Sequence, residues 1–361
     1  MQLASVEVIP YALPFKQPYV TAQGSLTRRE MVLLRLRDEE GRVGLGEAVP
    51  LSLRGGATIE RVVQELEELA AGEWFTRLLE HGEPIVTSTN AVDPRLVLSA
   101  PSRCAVLTAL ADLVERVEEA NHKPAPVACN ATLIAAEPAA VAEDALAWAA
   151  EGFATFKLKL GAGDDLGQVQ AVREALGPVA RIRVDANGAW SLPVATEMLA
   201  ELEPYEIELV EQPVATMEDA VLLSKISRIP LSGDESINSL ADAKRAVELN
   251  AFQATGIKGS KVGGIFEAMR IGEIMPAYAS SALDGPVGIA TAAQLASNLD
   301  GKEDPLGPPQ PRYAHGLATQ RLFATTIASV ECELRRGRLY PPPGPGLGVE
   351  IDEDALQAHR L

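Results

Sequence analysis

The chain is poor in cysteine and histidine, with three of the first and four of the second in 361 residues. Cys104, Cys129 and Cys332 are too few and too scattered for a disulfide framework or a C-x-x-C metal site, and they read as reduced structural thiols. His81, His122, His315 and His359 show no ligand spacing, which argues against zinc. They read as surface or loop residues, with His315 the exception to watch because it lies near a late strand. Positive charge is also short: 32 Lys plus Arg against 50 Asp plus Glu leave a net charge of −18. Sequence-independent nucleic-acid binding needs a basic face, so that class is set aside. No long uninterrupted apolar run is present. The stretch from Ile274 to Ala293 is nearly uncharged, but Asp284, Gly285 and Pro286 break it, so it reads as strand, turn and buried helix rather than a membrane span. The opening residues lack a basic stretch and reach Pro10 and Pro14 early, unlike a secretory leader. A cytoplasmic protein without membrane partners is the expectation.

What is present is an ordinary globular composition, 47% apolar and 23% charged, and two styles of sequence. Residues 1–125 mix strand and helix patterns. Met31–Arg37 followed by DEEGR and Val43 reads as a hairpin, and Thr58–Leu69 and Ser102–Glu118 read as helices, together an α+β module. Over 126–325, short apolar runs alternate with amphipathic helices, the pattern of repeated βα units. The predicted strands are Val127–Leu133, Thr155–Lys159, Ile182–Asp185, Ile207–Glu211, Leu231–Asp234, Ala254–Lys258, Ala277–Ser280 and an eighth near Tyr313–Leu317. Helices are predicted at Leu166–Leu176, Val194–Leu202, Leu240–Leu249 and Ile265–Ile274. Eight units over about 200 residues match a (β/α)8 barrel. An open doubly wound sheet would show a glycine fingerprint. The one candidate, Gly161 and Gly163, has Leu166 where the third glycine belongs and Asp164 and Asp165 where a pyrophosphate would sit. Residues 326–361, with PPPGPG after Leu339, read as an extended tail returning to the first module.

Chemistry collects at the strand ends. Lys157 and Lys159 end the second strand, Asp185 the third, Glu211 the fourth, Asp234 the fifth and Lys258 the sixth. From Lys159 the steps are 26, 26, 23 and 24 residues, each one βα unit. The five ends therefore share one level, on the C-terminal rim where barrel enzymes keep their active sites. Three acids from adjacent strands converge. Lys159 and Lys258, four units apart, face each other, and Lys157 shares the face of Lys159. Converging carboxylates raise one another's pKa values or bind a cation. Oxygen-only donors favour Mg²⁺, with Mn²⁺ as the alternative. Opposed lysines beside a Lewis acid suit abstraction of the proton α to a substrate carboxylate, giving an enediolate that fixed positive charge stabilises. Lys157 and the cation are expected to lower the Lys159 pKa toward neutrality. Taken singly, each motif has a plainer reading as a turn, a cap or a solvated edge; jointly they do not.

The set KxK, DANGAW, VEQP, GDES and K-x4-GG resembles the enolase superfamily, in its muconate-cycloisomerase-like branch. GLGEAVP at 44–50, PSRCAVLTALADL at 101–113 and the C-terminal PGPGLGVEIDED extend the resemblance over nearly the whole chain. It implies a barrel with an α+β cap completed by the C-terminal segment. It also implies metal ligation by Asp185, Glu211 and Asp234, acid/base roles for Lys159 and Lys258, and supporting roles for Lys157, Asn187 and Glu235. Within the branch, Ser280–Asp284 with Val287–Ala290, Asn130-Ala131-Thr132 and Gly316–Thr319 are most similar to o-succinylbenzoate synthases, implying substrate contacts at Asn130 and Ser281. Gly285-Pro286 departs from that group's usual Thr-Ser. The implied reaction is a Mg²⁺-dependent syn dehydration of a cyclohexadiene carboxylate, a small-molecule lyase step in menaquinone synthesis. N-acylamino-acid racemase, dipeptide epimerase and muconate cycloisomerase chemistry use the same residues, although the Asp-x-Asp usual in epimerases is missing near 313–319. A non-catalytic metal-binding barrel and a Schiff-base aldolase are the readings from other classes; the aldolase needs one isolated lysine, which three neighbouring acids disfavour. Cap segments 16–26 and 51–57 are expected to close over the substrate. None of these patterns bears on oligomeric state.

Overall fold

A computed structural model describes residues 2–21, 24–52, 55–72, 75, 98–118, 124–161, 163–301 and 313–361. His81 and His122 lie outside the described residues, as do 22–23 and 53–54 of the two cap segments.

The cap begins with a long antiparallel hairpin, β1 (Leu3–Thr21) against β2 (Gly24–Asp38), and β3 (Val43–Ala48) adds to the other edge of β2. The predicted DEEGR turn joins β2 to β3. Alternate residues Val32, Leu34 and Leu36 face one way and are fully buried against α1 (Ile59–Ala71) and α2 (Ala100–Val117). Thr58 caps α1 by accepting the Arg61 amide. On the same strand, Met31 and Leu33 face the second core, which they share with the barrel. A strand buried on both faces is how the cap becomes one packed body with the barrel.

After β4 (Val127–Ala128) come β5 (Ala131–Leu133), α3 (Pro138–Ala150), β6 (Thr155–Lys159), α4 (Asp165–Leu176), β7 (Arg181–Asp185), α5 (Leu192–Leu202), β8 (Ile207–Glu211) and α6 (Met217–Ser224). Then follow β9 (Leu231–Gly233), α7 (Leu240–Glu248), β10 (Ala254–Ile257), a short α8 (Gly259–Val262), α9 (Ile265–Ile274), β11 (Ala277–Ala279) and α10 (Pro286–Asp300). Strands β5 to β11 pair in sequence order, all parallel.

Closure comes from the eighth position, which is two bridged residues rather than a regular strand. His315 bridges Cys129 and Gly316 bridges Ser280, through Asn130 N–H to His315 O at 2.9 Å and Ser281 N–H to Gly316 O at 3.0 Å. His315 is a buried residue of this seam, not a surface one. Its Nδ1 accepts the Ala279 amide at 3.0 Å and its Nε2 lies 3.2 Å from Asp300 Oδ1. An acceptor at Nδ1 puts the proton on Nε2, facing the carboxylate.

Two expectations are corrected. The first predicted strand, Val127–Leu133, is split: β5 belongs to the barrel, whereas β4 pairs antiparallel with β14 (Arg338–Tyr340) of a hairpin begun by β13 (Glu333–Arg335). The region around Leu339 is therefore paired sheet, not extended tail. Beyond it the chain does return to the cap. β15 (Glu350–Ile351) pairs with β12 (Ala328–Val330), and α11 (Glu353–His359) packs on β1, where the Leu361 amide reaches Pro10 O at 3.0 Å and Arg35 bonds Glu353 at 2.6 Å. Asp112 of α2 locks this arrangement by accepting the Leu45 amide at 2.8 Å and the Leu347 amide at 2.7 Å. Among the described residues no helix is long and apolar enough to cross a membrane.

Candidate active site

The βα spacing delivers its side chains to one level. Lys159 pairs with Asp185 and Asp185 with Glu211 in register; Asp234 and Lys258 follow one residue after β9 and β10. Asp185, Glu211 and Asp234 are all buried. Lys157 bridges the first two, 2.8 Å from Asp185 Oδ2 and 2.6 Å from Glu211 Oε1. Lys159 stands 2.5 Å from the same Asp185 oxygen, and Lys258 bonds Asp234 from the other end of the row.

The surrounding turns hold these groups in place. Asn187 adopts a left-handed φ of 48°, so that its amide donates to Asp185 Oδ1 at 2.9 Å. Its side chain accepts from Lys159 at 3.0 Å and donates to Glu235 at 3.2 Å. DANG is thus a turn, and the turn aims the acid. Gln212, also left-handed, accepts the amides of Asp234 and Ser236 at 3.0 and 3.1 Å, tying the fourth strand end to the fifth.

Three participants were not anticipated. Lys261 on α8 lies 2.7 Å from Asp234 Oδ1 and also bonds the Asp234 carbonyl. It escaped strand-end counting because it sits one helical turn past β10. Tyr278, inside the barrel below the acids, donates to Glu211 Oε2 at 2.5 Å. Glu47 of GLGEAVP crosses from cap to barrel, accepting the Gly285 amide at 2.7 Å and the Tyr11 hydroxyl at 2.8 Å. This last contact accounts for the glycine at 285. A Cβ there would fall 2.3 Å from the Tyr11 hydroxyl and 2.7 Å from Glu47 Oε2, so a side chain would have to displace this hydrogen-bonded pair.

Charge state follows from the partners. Burial works against ionised Asp185, but Lys157 and Lys159 outweigh it and hold the carboxyl well below its usual range. Burial, then repulsion from Asp185, pushes Glu211 up. Burial drives Lys159 toward neutrality, yet Asp185 and weaker negative neighbours together outweigh it and the net direction is up. The expected lowering by Lys157 is present only as a smaller opposing effect.

Of the residues implied by resemblance, Asn130 is buried at the first strand. Its Nδ2 donates to Ala131 O and Thr132 Oγ1, and its Oδ1 meets no hydrogen-bond donor among the described residues, as is also true of Thr319 Oγ1. Ser281 is turned into its own loop, donating to Asp284 Oδ2 at 2.6 Å and accepting the Asp284 amide at 2.9 Å. Residues 16–21 and 24–26 are strand, not loop. The hairpin is anchored to the barrel where Phe15 stacks on Phe323 at 5.1 Å.

Among the described residues no three His, Cys, Asp or Glu groups form a ready-made cation cage; the Lys157 ammonium stands between Asp185 and Glu211. A divalent cation nevertheless fits the donor chemistry. Three buried carboxylates from adjacent strands offer oxygen alone, and Glu211 is destabilised as an anion by burial and by its acidic neighbours.

Comparison with known proteins agrees with this architecture. Residues 140–355 match the family profile described as Enolase C-terminal domain-like. The chain belongs to the enolase superfamily, whose related members here are enzymes: a lyase, epimerases and cycloisomerases. It is 36% identical over 212 residues to an o-succinylbenzoate synthase of Thermobifida fusca, a match spanning 56% of this chain and 64% of that protein. It is 28% identical over 317 residues to a D-Ala-D/L-Ala epimerase of Cytophaga hutchinsonii, covering 82% and 84% of the two chains. The crystal structure of a dipeptide epimerase from Cytophaga hutchinsonii, complexed with Mg and D-Ala-L-Val, superposes with a TM-score of 0.83 at 25% identity, over 99% of this chain and 98% of that one.

Proposed function

We propose that the protein is a Mg²⁺-dependent lyase acting as an o-succinylbenzoate synthase, dehydrating a cyclohexadiene carboxylate after proton abstraction α to the carboxylate. The observation that carries the reading is the row of three buried acids with Lys159 bonded to its first member and Lys258 to its last. In this reading residues 1–125 cap the site, 126–325 form the catalytic barrel and 326–361 complete the cap.

Asp185, Glu211 and Asp234 would hold the cation, Mg²⁺ by donor chemistry with Mn²⁺ as a substitute. When bound, the cation supplies Lewis acidity toward the substrate carboxylate, worth several kcal/mol on an enediolate. Lys159, reached as the neutral amine, takes the α-proton and returns it to the departing hydroxide, which leaves as water. One base on one face accounts for a syn elimination. Lys258 keeps its proton and faces the enediolate from the opposite side; a fixed cation there is worth about 3 kcal/mol. Lys157 ties Asp185 to Glu211, and Asn187 with Glu235 steadies Lys159. The oxygens of Asn130 and Thr319 that meet no hydrogen-bond partner among the described residues suit polar contact with substrate. Ser281 is a weaker candidate for such contact, because its hydroxyl is engaged within its loop.

Racemisation or epimerisation is the second reading, favoured by a pair of lysines able to serve both faces. The discriminating experiment is turnover of the o-succinylbenzoate precursor with Mg²⁺, beside N-acyl amino acids and dipeptides scored for deuterium exchange. Dehydration without racemisation supports the lyase. Exchange of both enantiomers without dehydration replaces it with the racemase, and chelator-insensitive turnover removes the metal from the account.

A further inference from the structure

We propose that Tyr278 is a positioning residue for Glu211, fixing from inside the barrel how that carboxylate presents itself to a divalent cation. The inference rests on the reading of Asp185, Glu211 and Asp234 as ligands.

Tyr278 is the middle residue of β11, between two alanines, and shares its strand face with Ser280. It is 1% exposed. A ring this large inside a barrel needs space on the neighbouring strand, and Gly256 of β10, its register partner, provides it. A Cβ on Gly256 would lie 3.1 Å from Tyr278 Cε2 and 3.3 Å from its hydroxyl, tighter than ordinary contact.

The hydroxyl touches two groups, Glu211 Oε2 at 2.5 Å and Ser232 Oγ at 3.0 Å. A phenol has one proton. The carboxylate can only accept, so the Tyr278 proton goes to Glu211 and Ser232 donates to Tyr278. Lys157 occupies Glu211 Oε1. Each carboxylate oxygen is therefore tethered by one bond while keeping a second lone pair, and rotation of the group would break both bonds.

The ring itself is packed on two sides. The Arg183 guanidinium lies 5.0 Å from its centroid and is anchored by Glu208 at 2.5 Å and the Ala314 carbonyl at 2.7 Å. Tyr313 packs edge-on at 5.8 Å. Side chains that orient a metal ligand without touching the metal commonly alter affinity by about 10–100-fold when removed.

The test is calorimetric titration of Mg²⁺ into the full chain after chelator treatment and dialysis, comparing wild type, Tyr278→Phe and Ser232→Ala. Tyr278→Phe removes only the hydroxyl and is expected to weaken Mg²⁺ binding by about 10–100-fold. Ser232→Ala, one bond further away, is expected to show a smaller loss in the same direction, and it carries the test if the phenylalanine variant does not fold. Wild-type affinity within twofold in both variants overturns the positioning role while leaving the ligand reading intact. A wild type that takes up neither Mg²⁺ nor Mn²⁺ overturns both.

Discussion

The barrel mouth and the seam between cap and barrel both bury carboxylates, and they compensate them in opposite ways. At the mouth, Asp185, Glu211 and Asp234 are bonded by Lys157, Lys159, Lys258 and Lys261. At the seam, Glu47 is bonded by the Tyr11 hydroxyl and the Gly285 amide, and Asp284 by the Ser281 hydroxyl and the Ala282 amide. Full charges hold Asp185 below the usual carboxylate range. Dipoles do not offset burial at the seam, where burial and then Asp284 push Glu47 up to about 7 and burial raises Asp284. Asp185, matched by two ammonium groups, is held as an anion, whereas Glu47, matched by a hydroxyl and an amide, keeps its proton toward neutral pH and clasps cap to barrel.

Substitutions break this contrast where it is sharpest. Lys159→Ala is expected to lower kcat by about 10²–10⁴-fold, the usual contribution of a positioned acid/base, measured as steady-state dehydration at saturating Mg²⁺. Lys258→Ala is expected to cost about 10²–10³-fold, as loss of fixed transition-state charge does. Under the racemase reading the same variant instead loses exchange with one enantiomer and keeps it with the other. Away from the mouth, Asp112→Ala leaves the Leu45 and Leu347 amides without their acceptor and should lower unfolding free energy by about 2–4 kcal/mol in urea titrations.

The smallest effect concerns pH. Folded Glu47 holds its proton up to about 7, against an ordinary value of 4.5. Below 4.5 both folded and unfolded chains carry that proton. Between 4.5 and 7 only the folded chain keeps it, so this group's contribution to stability falls as pH rises, by at most on the order of 3 kcal/mol. Glu47→Gln removes the titration. Its melting temperature should gain on wild type across that interval, and a constant difference would refute the assignment.

Much of this was legible because βα spacing is rigid. One unit per strand fixed the level of Lys159, Asp185, Glu211, Asp234 and Lys258, and β6 and β8 begin and end where their apolar runs do. What escaped lies off that arithmetic. Lys261 comes from a helical turn after its strand. Tyr278 reads in sequence as an ordinary core aromatic, and only Gly256 on the adjoining strand hints that its ring points inward. Glu47 was visible inside GLGEAVP, but a contact between residues 47 and 285 leaves no local pattern. The hairpin β13–β14 was missed because three-residue strands carry too little alternation to stand out.

The most direct measurement is deuterium incorporation from D2O at the carbon α to the substrate carboxylate, by mass spectrometry, for wild type and Lys159→Ala with Mg²⁺ and with chelator. Proton abstraction by Lys159 at a cation-holding site predicts incorporation or turnover in the wild type with Mg²⁺, and rates lower by at least about 10²-fold in the other three conditions. Wild-type rates in Lys159→Ala, or rates indifferent to the chelator, would contradict it.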